Sequence, residues 1–186
     1  MEEYRMHKKY KLFMPLLAIS IFFLNGCGDT SRNENAESTP VPGAIVFEAH
    51  DMEGNAVSSE IFSETKLTMV NVWATYCNPC LREMPGLGEL AGEYATDEFR
   101  IVGVVSDVME GADQKTLDYA VDLVERTGAG YTHLLLNESL YYALLTDVSA
   151  VPTTFFIDED GVVLDTVVGS MEKSAWEEMI NELLEK

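Results

Sequence analysis

Two cysteines three positions apart, Cys77 and Cys80, are the residues of this chain best suited to chemistry. They follow an apolar run, residues 66–73, that predicts a buried strand, and a helical pattern begins at the second cysteine. Thiols with this spacing at the start of a helix lie on one face, close enough to form a disulfide or to release one. The first thiol also lies at the positive end of the helix dipole, which favours the nucleophilic thiolate. The pattern therefore predicts thiol–disulfide chemistry where a strand passes into a helix.

Two other uses of this cysteine pair fit the sequence less well. A structural zinc site needs about four ligands. Beyond residue 27 the chain has only two histidines, His50 and His133, and it has no second Cys-x-x-Cys pair. We therefore expect no metal and no cofactor, and we interpret both histidines as structural. A permanent structural disulfide is also disfavoured, because so short a loop constrains the unfolded chain little.

Composition excludes one large class of partner. The chain has 186 residues, of which 47% are hydrophobic, and this suits one globular domain with short appendages. It carries 12 basic and 32 acidic residues, for a formal net charge of −20. Such a surface repels phosphate backbones, so we expect no binding to nucleic acid. The excess of acidic residues is interpreted chiefly as a contribution to solubility.

The N-terminus has the pattern of an export signal. Residues 1–11 carry four basic side chains, and residues 12–24 form an apolar run that suits a signal-peptide core. The run ends in Leu-Asn-Gly-Cys27, which resembles the lipobox of bacterial lipoproteins, although Asn25 replaces the usual Ala, Ser or Thr. We therefore expect a lipoprotein signal peptide over residues 1–26 and a lipidated Cys27. The alternative is an uncleaved anchor with Cys27 free, and either arrangement puts the domain outside the cytoplasm.

The rest of the chain divides into a tether and one domain. Residues 27–44 hold almost no large apolar side chains after Cys27, so they predict a flexible tether. Hydrophobic periodicity and turn residues then predict strands and helices over residues 45–186, with a capping box of Ser174 and Glu177 opening the last helix. They are a hairpin over 47–57, a helical turn over 58–64, strands over 66–73, 99–105, 132–136, 154–158 and 162–168, and helices over 78–94, 113–127, 138–145 and from 174 onward. This order predicts an α/β fold with a mixed central sheet covered by helices on both faces.

Two motifs in this order resemble those of a known family. The sequence from Trp73 to Cys80 resembles the Trp-Cys-x-Pro-Cys active site of thioredoxins, and residues 151–155, Val-Pro-Thr-Thr-Phe, resemble their cis-proline segment. The N-terminal hairpin, an inserted helix and strand over residues 113–136, Asn71 and Glu83 are similar to the TlpA/ResA branch. That branch comprises membrane-tethered, extracytoplasmic thiol–disulfide oxidoreductases. The resemblance covers residues 45–186 and implies the thioredoxin fold.

The resemblance also implies a role for individual residues. Cys77 would be the nucleophile and Cys80 the resolving thiol, with the pair forming the redox-active disulfide. Thioredoxins place a buried aspartate beneath this pair, but here Asn71 matches that position and cannot titrate. Glu83, one turn beyond Cys80, then becomes the candidate proton acceptor, with an ordinary exposed glutamate as the alternative.

The same resemblance places a substrate surface beside the cysteines. Pro152 would be cis and would face the sulfurs, leaving the Val151 backbone free to pair with a substrate strand. Trp73 and Tyr76 would form the walls of this surface, although Trp73 could equally serve core packing alone. Tyr76 replaces the tryptophan that usually precedes the first cysteine, and Asn78 replaces the glycine of thioredoxin.

The function that follows is disulfide reduction outside the cytoplasm. The resemblance implies that exported proteins are the substrates, for example in cytochrome c maturation, and that a membrane thiol donor of the CcdA/DsbD type supplies electrons. We expect a monomer held at the membrane by its lipid. Two alternatives stay open: a peroxiredoxin-like peroxidase, although the residues before Cys77 lack the Pro-x-x-x-Thr-x-x-Cys pattern, and a non-catalytic module that binds peptides or metal.

Overall fold

Apolar runs separated by turn residues form seven strands and four α-helices within residues 41–186, the part of the chain that this computed structural model describes. A 3₁₀ helix, Ser59–Glu64, and a π-helical segment, Tyr141–Leu145, complete the regular structure of this part. The strands are β1 (Glu48–His50), β2 (Ala56–Ser58), β3 (Leu67–Trp73), β4 (Phe99–Met109), β5 (Thr132–Leu136), β6 (Thr153–Asp158) and β7 (Val163–Val168). The helices are α1 (Asn78–Ala91), α2 (Gln114–Thr127), α3 (Glu138–Leu140) and α4 (Lys173–Leu184).

The part of the sequence that is predicted to direct the chain to the membrane falls outside this range. The predicted signal peptide (residues 1–26), Cys27 and most of the predicted tether (27–44) lie outside the described residues. Within residues 41–186 no helix is both long enough and apolar enough to cross a membrane. At the start of the predicted domain, the Ile45 N–H donates to the Gly161 carbonyl at 2.8 Å.

Five of the strands form the mixed sheet that the sequence predicts, in the order β5-β4-β3-β6-β7. Strands β3, β4 and β5 are parallel, while β6 and β7 are antiparallel to their neighbours. The crossovers from β3 to β4 and from β4 to β5 both step the same way along the sheet. Because such crossovers are right-handed, both of their helices, α1 and α2, must lie on one face.

The side chains of β3 show how the two faces are filled. Met69 packs with α1 and α4, and Trp73 packs with α1 and α2. Val70 and Val72 point to the opposite face, which is covered by the β1–β2 hairpin, the 3₁₀ helix and α3 with its π-helical continuation. Helices therefore cover both faces as predicted, but the three long ones share one face.

The structure corrects three boundaries. The last helix begins at Lys173 with Glu172 as N-cap and no side-chain capping bond, so the predicted capping box is wrong: Ser174 already lies inside the helix. Helix α1 ends at Ala91 rather than at residue 94. Strand β4 is predicted to end at Val105, where the apolar pattern ends. It continues through polar residues to Met109.

Candidate active site

The two cysteines are joined by a disulfide at the start of α1. Cys77 is the N-cap of the helix, and its Sγ accepts the backbone N–H of Cys80 at 3.2 Å. Cys77 keeps 5% of its surface exposed, whereas Cys80 has none. A sulfur of another protein can therefore reach Cys77 but not Cys80. The division into nucleophile and resolving thiol stays a prediction.

The cis-proline segment lies directly beside this disulfide. The Val151–Pro152 peptide bond is cis, as the sequence predicts. The Val151 carbonyl oxygen lies 3.5 Å from the Sγ of Cys77. Behind it, the Gly169 N–H donates to the Pro152 carbonyl at 2.8 Å, which fixes the segment against the end of β7. The backbone of Val151 therefore lies within contact distance of the Cys77 sulfur.

Two exposed side chains border the site. Tyr76, which the sequence analysis selects, is 73% exposed next to Cys77. Val168, which it misses, is 68% exposed and pairs with Thr153, the residue that follows Pro152. No local pattern points to Val168, because the pairing of β6 and β7 shifts by one residue between Phe156 and Ile157, and counting outward from the turn would place Val167 opposite Thr153.

Two β4 residues that the sequence does not predict as part of the site, Ser106 and Asp107, hold the loop before the cysteines. The Asp107 carboxylate accepts the Thr75 N–H at 3.0 Å and also accepts the Thr75 hydroxyl. The Ser106 hydroxyl donates to the Trp73 carbonyl at 2.9 Å. Both β4 residues lie toward the carboxyl end of a parallel strand, the edge where sites form in open α/β sheets, and this position was the available signal.

Glu83 is buried and hydrogen-bonded at both carboxylate oxygens. Oε1 accepts from Nδ2 of Asn71 at 3.1 Å. Oε2 accepts from the Met171 N–H at 3.1 Å and from Nε1 of Trp176 at 3.4 Å. Burial raises the pKa of Glu83 above its ordinary value, and the three hydrogen bonds, which favour the charged form, only partly offset this.

Burial decides between the two interpretations of this glutamate. Its side chain lies on the core side of α1 with 6% of its surface exposed, so the alternative of an ordinary exposed glutamate is wrong. Asn71 also donates to the Thr154 hydroxyl at 3.0 Å, which ties Glu83 to β3 and β6. No hydrogen bond in the described part of the chain joins Glu83 to either sulfur. A buried carboxyl one turn beyond Cys80, with its pKa raised by burial, is a candidate group for taking up a proton.

Trp73 does not form a wall of the substrate surface. It has no exposed surface, and its Nε1 donates to Nδ1 of His133 at 3.1 Å. It packs in the same apolar cluster as both cysteines. The structure thus corrects the substrate-binding assignment of Trp73 in favour of the packing alternative, because a side chain without exposed surface cannot touch a docked polypeptide.

The geometry of these residues favours thiol–disulfide exchange. The disulfide has one reachable sulfur, which lies beside a helix N-terminus and a backbone carbonyl. It can open by exchange with a dithiol, and the resulting thiol pair can close by exchange with another disulfide. Within residues 41–186 no group of three or more His, Cys, Asp or Glu side chains could hold a metal ion.

Comparison with known proteins gives consistent matches. Residues 42–166 match the model of the AhpC/TSA family. The chain is 27% identical over 188 positions to the thiol-disulfide oxidoreductase ResA of Halalkalibacterium halodurans, covering 97% of each chain. The structure resembles that of a thioredoxin-family thiol:disulfide interchange protein from Chlorobium tepidum, with a TM-score of 0.64 and 25% identity over 80% of this chain and 99% of that one. It also resembles the exposed lipoprotein thioredoxin of Streptococcus pneumoniae, with a TM-score of 0.56 and 27% identity over 74% and 98%. These matches confirm the predicted thioredoxin fold.

Proposed function

This chain belongs to the AhpC/TSA family and is a thiol–disulfide oxidoreductase, and we propose that it reduces disulfides of exported proteins from a membrane tether. The observation that carries this proposal is the Cys77–Cys80 disulfide at the start of α1, with its outer sulfur beside the Val151 carbonyl. Such a pair stores two electrons when open and returns them when it closes.

The reaction transfers two electrons in two exchange steps. The Cys77 thiolate attacks one sulfur of the substrate disulfide, forms a mixed disulfide and releases the first substrate thiolate. The Cys80 thiolate then attacks the Cys77 sulfur, closes the Cys77–Cys80 disulfide and releases the second substrate thiolate. The exposure of Cys77 and the burial of Cys80 support this order.

Glu83 is proposed as the group that takes the proton from Cys80 before the second step. Its raised pKa supports the role, since a general base works best when its pKa approaches the working pH. Asn71, which occupies the place of the thioredoxin aspartate, donates to Glu83 and so orients the carboxylate.

The cellular setting of the proposal rests on the N-terminal sequence. The basic start, the apolar run and Cys27 favour export and a lipid anchor on the outer side of the cell membrane. A protein of similar structure carries the name of an exposed lipoprotein thioredoxin. We propose that the protein works as a monomer, that a membrane thiol donor of the CcdA/DsbD type reopens the disulfide, and that cytochrome c maturation is one use of the electrons.

Trapping of substrates in cells tests the proposal. Cys80→Ala removes the resolving thiol, so mixed disulfides between Cys77 and substrates should accumulate and can be isolated under non-reducing conditions. The matched control carries Cys77→Ala as well and should trap nothing. Capture of exported dithiol proteins by the single variant alone would support the proposal, and equal capture by both variants would refute it.

Three further measurements separate the rival functions and test the anchor. Peroxide consumption without a thiol partner would favour the peroxidase, and normal function of a chain with Cys77→Ser and Cys80→Ser would favour the non-catalytic module. Cys27→Ala should release the domain from the membrane fraction of cells. Retention of that variant in the membrane fraction would contradict lipidation at Cys27.

A further inference from the structure

The imidazole of His133 lies in the core on the face of the sheet that carries α1. It projects from β5, is 4% exposed and makes hydrogen bonds at both nitrogens. Nδ1 accepts from Nε1 of Trp73 at 3.1 Å, and Nε2 lies 2.9 Å from the Ala129 carbonyl oxygen. An indole N–H can only donate and a carbonyl can only accept, so these partners assign the neutral Nε2–H tautomer.

Strand β4 provides a glycine where this ring needs space. Gly103 pairs with His133 in the register of β4 and β5, and a Cβ at position 103 would lie 2.1 Å from Nδ1. The Tyr131 ring stacks on the imidazole with centroids 4.5 Å apart, and the Trp73 ring meets it edge-on at 5.6 Å. The ring is therefore bounded by a glycine and two aromatic side chains, with one nitrogen directed at the indole.

Trp73 donates to this imidazole and shares an apolar cluster with the sulfurs. It is the last residue of β3, and its carbonyl is held by the Ser106 hydroxyl at 2.9 Å. Its indole packs in the apolar cluster that contains Cys77 and Cys80. The tryptophan is thus held at its backbone by β4 and at its indole by His133, and the disulfide packs in the same cluster.

We propose that His133 is a positioning residue for thiol–disulfide exchange, acting through the Trp73 indole on the Cys77–Cys80 pair. The inference rests on the proposed function and deepens it. Without an acceptor at position 133 the indole N–H would be buried and unpaired, an arrangement that folded proteins avoid, so the indole would have to move. In a close-packed interior that movement is passed to the neighbouring sulfurs and changes the reactivity of Cys77.

Four variants of the full-length protein separate positioning from packing. His133→Leu removes the acceptor and puts an apolar side chain of similar size in its place. His133→Gln keeps one group that can accept from Trp73 and one that can donate to Ala129. Trp73→Phe removes the donor, and His50→Leu makes the same change as His133→Leu at an exposed histidine. The readouts are the pH profile of Cys77 alkylation in the reduced protein and the equilibrium of the dithiol with glutathione.

Each outcome bears on the inference. His133→Leu and Trp73→Phe should each change the Cys77 alkylation rate at neutral pH at least about threefold, and their combination should add nothing further, as expected for two partners of one bond. His133→Gln should stay within about twofold of the wild type, because it preserves the bond. His50→Leu should change neither readout.

Other results would overturn the inference. The inference fails if a folded His133→Leu protein keeps the wild-type alkylation profile and glutathione equilibrium. It also fails if the effects of His133→Leu and Trp73→Phe are additive, or if His133→Gln changes the readouts as much as His133→Leu does. If His133→Leu does not fold, Trp73→Phe decides, and an unaltered Cys77 profile in that variant would refute positioning. If the wild type itself shows no reversible dithiol–disulfide couple, the proposed function fails and the inference falls with it.

Discussion

Acid should destabilise this protein through the buried imidazole of His133. Burial lowers the pKa of His133 from 6.5 to about 4, while the hydrogen bond to the Ala129 carbonyl acts in the opposite direction. The Trp73 indole also opposes protonation of Nδ1, because it can only donate to that nitrogen. A proton added to the folded protein would therefore have to break this bond.

The size of the effect follows from the two pKa values. In the unfolded chain the imidazole regains its ordinary pKa of 6.5, so between pH 6.5 and pH 4 the unfolded state binds more protons than the folded state. Stability therefore falls as the pH falls through this window. The two values differ by about 2.5, and at about 1.36 kcal/mol per pKa unit the complete loss is about 3 kcal/mol.

Glu83 acts in the opposite direction, so the wild-type curve alone is not sufficient. Burial raises the pKa of Glu83 above 4.5, so this carboxyl stabilises the fold at low pH and loses that effect as the pH rises through its raised pKa. His133→Gln is the matched reference, because it keeps Glu83 and can still bond to Trp73 and Ala129. The difference between the two proteins isolates the imidazole.

Urea titrations of the oxidised proteins, followed by far-ultraviolet circular dichroism, measure this difference. From neutral pH down to pH 4, the free energy of unfolding of the wild type should fall by about 3 kcal/mol more than that of His133→Gln. The denaturant slope of each protein should stay constant with pH, so that the midpoints report stability. A difference that does not change with pH would show that the imidazole is not held neutral against Trp73, and the reasoning would be wrong.

Three other substitutions test the buried carboxyl, the contact between α1 and α2, and the rim of the site. Glu83→Gln should slow resolution of the mixed disulfide about 10²-fold, the lower end for general-base catalysis. The free energy of unfolding of this variant has to be measured in parallel, because an amide NH2 cannot accept the N–H groups that donate to Glu83. Gly88→Ala should lower the free energy of unfolding by about 2–3 kcal/mol, since its Cβ would lie 2.2 Å from the Gly128 carbonyl oxygen. Val168→Glu should lower kcat/KM for a protein disulfide about tenfold and leave the rate with a small disulfide unchanged, because only a docked polypeptide reaches this exposed side chain.

Each of these substitutions has its own control. Stopped-flow kinetics over a range of pH measure the Glu83 variant, and an unaltered rate and pH profile would remove Glu83 from the mechanism. Gly92→Ala is the control for Gly88→Ala, because its Cβ has only one neighbour at 3.5 Å, and equal losses in urea titrations would contradict the contact argument. A Val168 variant that slows both disulfides equally would indicate damage to the fold rather than to docking.

Local sequence patterns were sufficient to predict the reactive centre and most elements. Strand β5 has the bounds that its apolar run predicts. The turn residues between β6 and β7 predict that these two strands form a hairpin. Such features depend on residues close together in the chain, since hydrophobic period and turn chemistry act locally. The cis bond before Pro152 was predictable for another reason, because the motif that contains it resembles a segment of a known family.

The sequence by itself therefore determined the chemistry of the cysteine pair and the order of the elements around it. Only the tertiary structure decided that Glu83 is buried, that Trp73 has no exposed surface and that His133 supports it. In the sequence, Asn71, Gly103 and His133 lie in three separate apolar runs. The register of β3, β4 and β5 places them side by side under α1, and the pairing of distant strands is a property that no local pattern contains.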